Sequence, residues 1–339
     1  MFKEKKMICT AQEEINQVKM NRPHVVILGA GASLACFPKG DKNGKCLPLM
    51  NNFAEVLNLN PILARSGVEF EGRNFEEVYD QIFKDKNLKP LRIEIEEAIY
   101  DYFSSLEIAE SPTLYDYLLL SLRKKDVVAT FNWDPFLVQA YKRNRQRFNL
   151  PRLQFLHGNV EIGYCEHDLV LGLKGTRCKD HGVPFTPSRL LYPISEKNYH
   201  LDKFISTQWR DLAQSIQSAF MLTVFGYGAP KSDVSAVDLL KAAWGNKDAR
   251  NLEQTEIIDI KPEAELHDTW EPFIHSHHYD TYTNFFDSWI AKHPRRTGEA
   301  YLNQYIDAMF LEDNLAPRSE SFDELWNWFD KLHLVEMKR

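Results

Sequence analysis

No apolar stretch in the 339 residues approaches the ~20 needed to cross a bilayer, which excludes a helical membrane span. The N-terminal "MFKEKKMICTAQEEINQ" is charged but no apolar run follows it, so it does not read as a secretory signal, and the cytoplasm is the expected location. Cysteine is scarce. Five residues (Cys9, Cys36, Cys46, Cys165, Cys178) in so long a chain argue against a disulfide framework. Charge of one sign does not dominate either: 41 basic against 48 acidic residues give −7 and a pI near 5.9. That balance disfavours direct nucleic-acid binding through bulk charge and leaves only a local basic patch open. Internal repeats and low-complexity tracts are missing.

What is present is a set of short, continuous apolar runs. With 44% hydrophobic residues the chain can bury one large core with additions, or two smaller ones. His24–Leu28, Asp126–Thr130, Arg152–Leu156, Ala219–Phe225 and Thr255–Ile260 read as strands without polar alternation, as a parallel sheet covered on both faces requires. Helical patterns lie between them at Leu114–Leu122, Pro135–Tyr141, Ser195–Ser218 and Val234–Trp244. This alternation predicts an α/β fold: a Rossmann-like, doubly wound parallel sheet.

The first strand leaves through Gly29-Ala30-Gly31-Ala32-Ser33. Two glycines at alternate positions suggest that something approaches the backbone. A pyrophosphate at a helix N-terminus would satisfy that, and so would a tight strand-to-helix turn with no ligand. The third glycine of G-x-G-x-x-G is absent, because position 34 is Leu. Other strands end in "TFNWD" (Thr130–Asp134), "FLHGN" (Phe155–Asn159) and "FGYGAPKSD" (Phe225–Asp233). At the carboxyl ends of parallel strands these face one crevice, where open α/β sheets bind ligands. Taken singly, Asn132 reads equally as a cap or turn residue, His157 as a hydrogen-bonded rim histidine, and Gly226 with Gly228 as a turn.

Three regions break the alternation. Residues 38–110 hold a Lys-, Gly- and Asn-rich loop and then helices, and 159–193 form a small irregular insertion. Residues 263–339 read as a helical C-terminal extension with aromatic stripes such as "YTNFFDSWI" and "LWNWFDKLHL". The expected catalytic domain is therefore 22–262. Aromatic helices beyond a complete core predict a homo-oligomer, or docking of a separate sensor or ATPase subunit; the plainer alternative is that they cover the sheet.

Gly29-Ala30-Gly31-Ala32-Ser33, Thr130-Phe131-Asn132-Trp133-Asp134, Leu156-His157-Gly158 and Gly226-Tyr227-Gly228 together resemble, in order, the motifs of the sirtuin superfamily. The resemblance implies NAD bound on a Rossmann-like domain, Asn132 and His157 acting at the nicotinamide ribose, and a small zinc module. Protein deacylases of the family carry a G-I-P-D-F-R type loop after the first motif and Gln at the second position of the next. Here stand "LACFPKGDKNGKC" and Phe131. The chain is more similar to divergent bacterial sirtuin-like proteins that hydrolyse NAD as effectors of defence against phages.

The expected activity is thus an NAD glycohydrolase yielding nicotinamide and ADP-ribose. An NAD-dependent deacylase and a non-catalytic NAD or ADP-ribose sensor are the alternatives. Asn132 would hold a water or ribose hydroxyls, and His157 would accept a proton. Gly29, Ala30, Gly31, Ser33, Thr130, Asp134 and the Gly226, Tyr227, Gly228 turn would line the cofactor site. Asp259 would meet the adenosine ribose or cap a helix. Cys165, His167, Cys178 and His181 are candidate zinc ligands, against a simple hairpin; "HSHH" at 275–278 is a polar loop or a further metal candidate.

Overall fold

The computed structural model describes residues 7–194, 199–229, 233–246, 250, 253–274 and 279–338. Six parallel strands form the main sheet: β1 His24–Leu28, β2 Val127–Thr130, β3 Arg152–Phe155, β4 Met221–Phe225, β5 Gln254–Ile258 and β6 Tyr279–Tyr282. Across the sheet they run β6-β5-β4-β1-β2-β3. The chain winds outward from β1 to β3, returns to the other side of β1, and winds outward again through β6. This is the doubly wound Rossmann order, and its direction reverses between β1 and β4.

The sheet is buried because its inner strands carry no polar alternation. Val26, Leu28 and Val128 pack on one face, while Val25, Ile27, Val127 and Ala129 pack on the other, as a two-residue period dictates. The first face is covered by the helices Phe75–Lys84, Lys89–Ser104 and Leu114–Leu120 and by the C-terminal helix Phe322–Met337. The second face is covered by Lys203–Ser218, Val234–Trp244 and Glu263–Trp270. The insertion at 38–110 is thus part of the main core, through Phe53, Phe75, Tyr79, Ile95, Ile99 and Phe103.

The segment 263–339 is mostly helical but supplies β6, so the sheet continues past the point near Ile260 where the apolar runs stop. Tyr279-Asp280-Thr281-Tyr282 has no apolar run because it is an edge strand, half-buried and, among the described residues, paired with β5 alone. The aromatic stripes pack inward: Phe285, Leu325, Phe329 and Leu332 join the main core. The small insertion holds a three-stranded antiparallel sheet of Leu171–Leu173, Ile162–Tyr164 and Thr186–Pro187. The expected helix over 195–218 is observed as Lys203–Ser218, and residues 195–198 and the "HSHH" stretch at 275–278 lie outside the described residues.

Candidate active site

The loops after β1 and β4 meet where the strand order reverses. Gly29 is the N-cap of the helix Ala30–Cys36. A Cβ on Gly29 would lie 2.5 Å from the Gly226 carbonyl oxygen, and one on Gly31 would lie 2.8 Å from the Gly226 Cα. The Gly31 N–H donates to the Gly226 carbonyl at 2.9 Å, and Gly226 itself has φ +60°. What comes close to the alternate glycines is therefore the β4 loop, and their packing is accounted for without a ligand. Ala30 and Gly228 are exposed at the mouth of this junction, and nothing lies within 4 Å of a Cβ on Gly228. These two positions leave backbone open to an incoming group.

Beneath the glycines lies a closed polar network. Asn132 donates through Nδ2 to the Gly29 carbonyl (2.8 Å) and to Ser33 Oγ (3.0 Å). Those acceptors fix the orientation of the amide. Among the described residues no group donates to Asn132 Oδ1, so the acceptor side of the amide is available. Ser33 Oγ donates to Asp134 Oδ2 at 2.7 Å and lies 2.6 Å from the Tyr115 hydroxyl. Asp134 Oδ1 accepts from the Phe136 N–H. Burial pushes the Asp134 carboxyl up to about 6, against the Ser33 and Phe136 hydrogen bonds that favour its charged form. Thr130 Oγ1 accepts from the Asn132 N–H, turning the chain at the end of β2. Ser33, Thr130 and Asp134 thus hold Asn132 from behind, and their polar atoms face inward.

His157 follows β3 and is buried. Its Nε2 is 3.1 Å from the Tyr199 hydroxyl and 3.9 Å from Asp233 Oδ1. The Phe131 ring meets the imidazole edge-on at 4.8 Å and stacks on Tyr227 at 4.1 Å. Gly158 makes the turn: at φ +76° its Cβ would lie 1.9 Å from the Arg189 carbonyl oxygen, and Leu191 N–H donates to the His157 carbonyl. Asn159 Nδ2 donates to the Asp134 carbonyl at 2.6 Å, tying the β2 and β3 ends together. Asp259, at the end of β5, accepts from the Lys261 N–H in a local turn.

The small insertion brings four ligand-type atoms within 4.8 Å of one another: those of Cys165, Asp168, Cys178 and His181. His167, the expected ligand, is not among them; its ring stacks on His181 at 4.8 Å. The reason is local. Cys165 and Cys178 begin matching turns, in which the cysteine carbonyl accepts from the fourth residue on and its N–H donates to the fifth. Leu169 (φ +60°) and Gly182 (φ +68°) occupy the same left-handed position. The third residue after each cysteine, Asp168 or His181, therefore points back at the sulfur. A tetrahedral ion with sulfur bonds of about 2.3 Å and nitrogen bonds of about 2.0 Å would hold S and N about 3.5 Å apart. His181 Nδ1 lies 3.5 Å from Cys165 Sγ and 3.6 Å from Cys178 Sγ, so the donor set fits such an ion. Hydrogen bonding to His181 also holds the Cys178 thiol below the usual range.

The structure thus gathers Asn132 with Gly29, Ser33, Thr130 and Asp134, and sets His157 against Phe131, whose ring stacks on Tyr227. Tyr115, Asn159, Tyr199 and Asp233 complete the surroundings; Asn159 and Asp233 close two of the strand-end motifs without a role assigned to them there, and spacing in the sequence does not single out Tyr115 or Tyr199. Asp168 was readable as the ligand position of the first of two C-x-x-ligand repeats, "CEHD" and "CKDH". A separate cavity of about 630 Å³ lies between the small insertion, the β3 edge and the helix Phe136–Asn144, away from Asn132 and His157.

No protein-family profile matches the chain, and no curated protein does. Solved structures do. A Sir2 enzyme described with its mechanism and regulation is 14% identical, with a TM-score of 0.39 over 86% of this chain and 96% of its own. A Sir2 homologue in complex with NAD is 13% identical, with a TM-score of 0.37 over 85% and 93%. Sir2 bound to acetylated peptide is 14% identical, with a TM-score of 0.37 over 85% and 94%.

Proposed function

We propose that the chain is an NAD glycohydrolase that binds NAD at the junction of β1 and β4 and cleaves its nicotinamide–ribose bond. The observation that carries this reading is the strand reversal, which puts the Gly29 and Gly228 loops, the open face of Asn132 and the β3-end His157 on one sheet edge. Backbone at Ala30 and Gly228 would meet the phosphates, and Asp259 the adenosine ribose. Asn132 Oδ1 would accept from a ribose hydroxyl or the attacking water.

The chemistry asks little of the protein. The C–N bond breaks and the ring nitrogen keeps the electron pair, so nicotinamide leaves neutral. Water oxygen bonds to the ribose carbon, and its proton passes to His157 and then to solvent. The products are nicotinamide, ADP-ribose and one proton. The sequence resemblance extends the reading to a defence effector that depletes NAD on phage infection. Control by self-assembly or by a sensor or ATPase subunit is part of the same proposal, with Phe310, Leu334 and Met337 among the exposed apolar side chains open to such contact.

The metal-type cluster favours a second reading, in which an acyl-lysine replaces water as acceptor, because the resemblance implies a zinc module in the superfamily that includes the deacylases. We assign the cluster to a structural zinc, held by Cys165, Asp168, Cys178 and His181, which would brace the insertion without entering the reaction. Incubation with NAD, with and without an acetylated peptide, separates the readings. Peptide-independent release of equal nicotinamide and ADP-ribose supports hydrolysis. Release only with peptide, accompanied by deacetylation, supports the second reading, and tight binding without turnover leaves a sensor.

A further inference from the structure

Asp233 begins the helix Val234–Trp244, beyond the β4 loop, and so reaches His157 from the other half of the sheet. Its position is that of a helix N-cap, where an aspartate ordinarily accepts from the N–H of the second or third helical residue. This one makes no such bond. Instead Oδ1 lies 3.9 Å from His157 Nε2, and Oδ2 accepts from the Tyr227 hydroxyl at 3.1 Å. The Tyr199 hydroxyl sits 3.1 Å from the same imidazole nitrogen, with its ring nearly parallel to the imidazole (11°). Both Asp233 and His157 are buried. Among the described residues, the titratable groups at the imidazole include Asp233, Tyr199 and, through Asp233, Tyr227, with Glu76 adding a like-signed field at Tyr227.

We propose that Asp233 is the positioning residue that acts through His157: the Tyr199 hydroxyl holds the ring by Nε2, and the Asp233 carboxylate, at ion-pair range of the same nitrogen, stabilises the imidazolium that forms when His157 takes a proton. The partial positive charge at the helix N-terminus favours the carboxylate form of Asp233. When the ring takes a proton from water, Nε2–H of the imidazolium faces the oxygens of Tyr199 and Asp233, and the resulting charge meets a carboxylate in a site with little water to screen it. Burial alone would disfavour that charge. The role in turnover rests on the cleavage reading; the effect on the imidazole does not.

The test is an NMR titration of the full chain carrying labelled histidine, with the His157 signal assigned from His157→Gln. In Asp233→Asn the His157 signal titrates at least about 1 pH unit lower than in wild type, as expected for losing an opposite charge at this range. Asp233→Ala, offered in case the first variant does not fold, lowers it likewise. If wild type cleaves NAD, the acid limb of the kcat profile in Asp233→Asn moves to lower pH by the same amount, with KM nearly unchanged. A His157 titration within about 0.3 unit of wild type in a folded variant overturns the proposal. A chain that does not cleave NAD overturns the function above, and the NMR result still decides this inference.

Discussion

A Cβ on Gly226 would lie 2.2 Å from the backbone nitrogen of Ala32, so the loops that follow β4 and β1 touch with no room for a side chain. Gly226 also sits at φ +60°. Strain and collision then act together in Gly226→Ala, and the loss in unfolding free energy should be about 3 kcal/mol or more. Gly228→Ala, with nothing nearby, should cost under about 0.5 kcal/mol. Urea unfolding measures both. Equal, small losses would remove the packing account of the glycines.

The glycine pair also shows how far the sequence could be read. A close approach was legible at Gly29 and Gly31; that the approaching group is Gly226, nearly two hundred residues on, was not. The inner strands were legible because a buried parallel strand needs an unbroken apolar run, as in Val25–Leu28. β6 was not, because an edge strand covered on fewer sides can be built from Tyr, Asp and Thr. Asn132 and His157 could be placed at strand ends from local order alone. Tyr115, Tyr199 and Asp233 reach them only through tertiary packing, which no local pattern encodes. His167 was named as a ligand by residue type, and the turn geometry sets Asp168 beside the two sulfurs in its place, a reversal of the expected ligand set.

That reversal can be checked. Elemental analysis of purified protein should find about one zinc per chain. His167→Ala should keep it, and Asp168→Ala and Cys178→Ser should lose most of it. Cys178→Ser should also unfold at lower temperature, because metal binding at a structural site is coupled to folding. Metal retained by Asp168→Ala but lost by His167→Ala would restore the other ligand set.

Glu256 is buried in the sheet, accepting from Thr223 Oγ1 (2.7 Å) and the Trp289 N–H (2.6 Å), and burial pushes its carboxyl up to about 7. Its folded pKa lies above its unfolded value, so the folded state binds more protons between about pH 4.5 and 7. Stability contributed by the protonated acid is therefore full at low pH and is lost as pH rises through that window. Glu256→Gln cannot ionise. Relative to wild type it should gain about 3 °C in Tm at pH 8 and little at pH 4.5. A variant less stable than wild type at pH 8 would contradict the cost assigned to the buried charge.

Ser33 and Asp134 are placed here as supports of Asn132. Ser33→Ala removes the hydroxyl that joins Asn132 Nδ2, Tyr115 and Asp134. It should lower kcat for NAD cleavage by about 10-fold or more through misorientation of the amide. KM should change less, because the hydroxyl faces inward. A rise in KM with kcat unchanged would instead mean that Ser33 touches the bound dinucleotide.

The most direct test of the central claim is the rate of nicotinamide release from NAD by the purified chain, compared with Asn132→Ala and His157→Ala. The account predicts release by wild type without any peptide. It predicts a loss of at least ~10²-fold in kcat in each variant, with the circular dichroism and unfolding temperature of wild type nearly kept. Undiminished release in either variant, or no release by wild type under any condition of assembly, would contradict it.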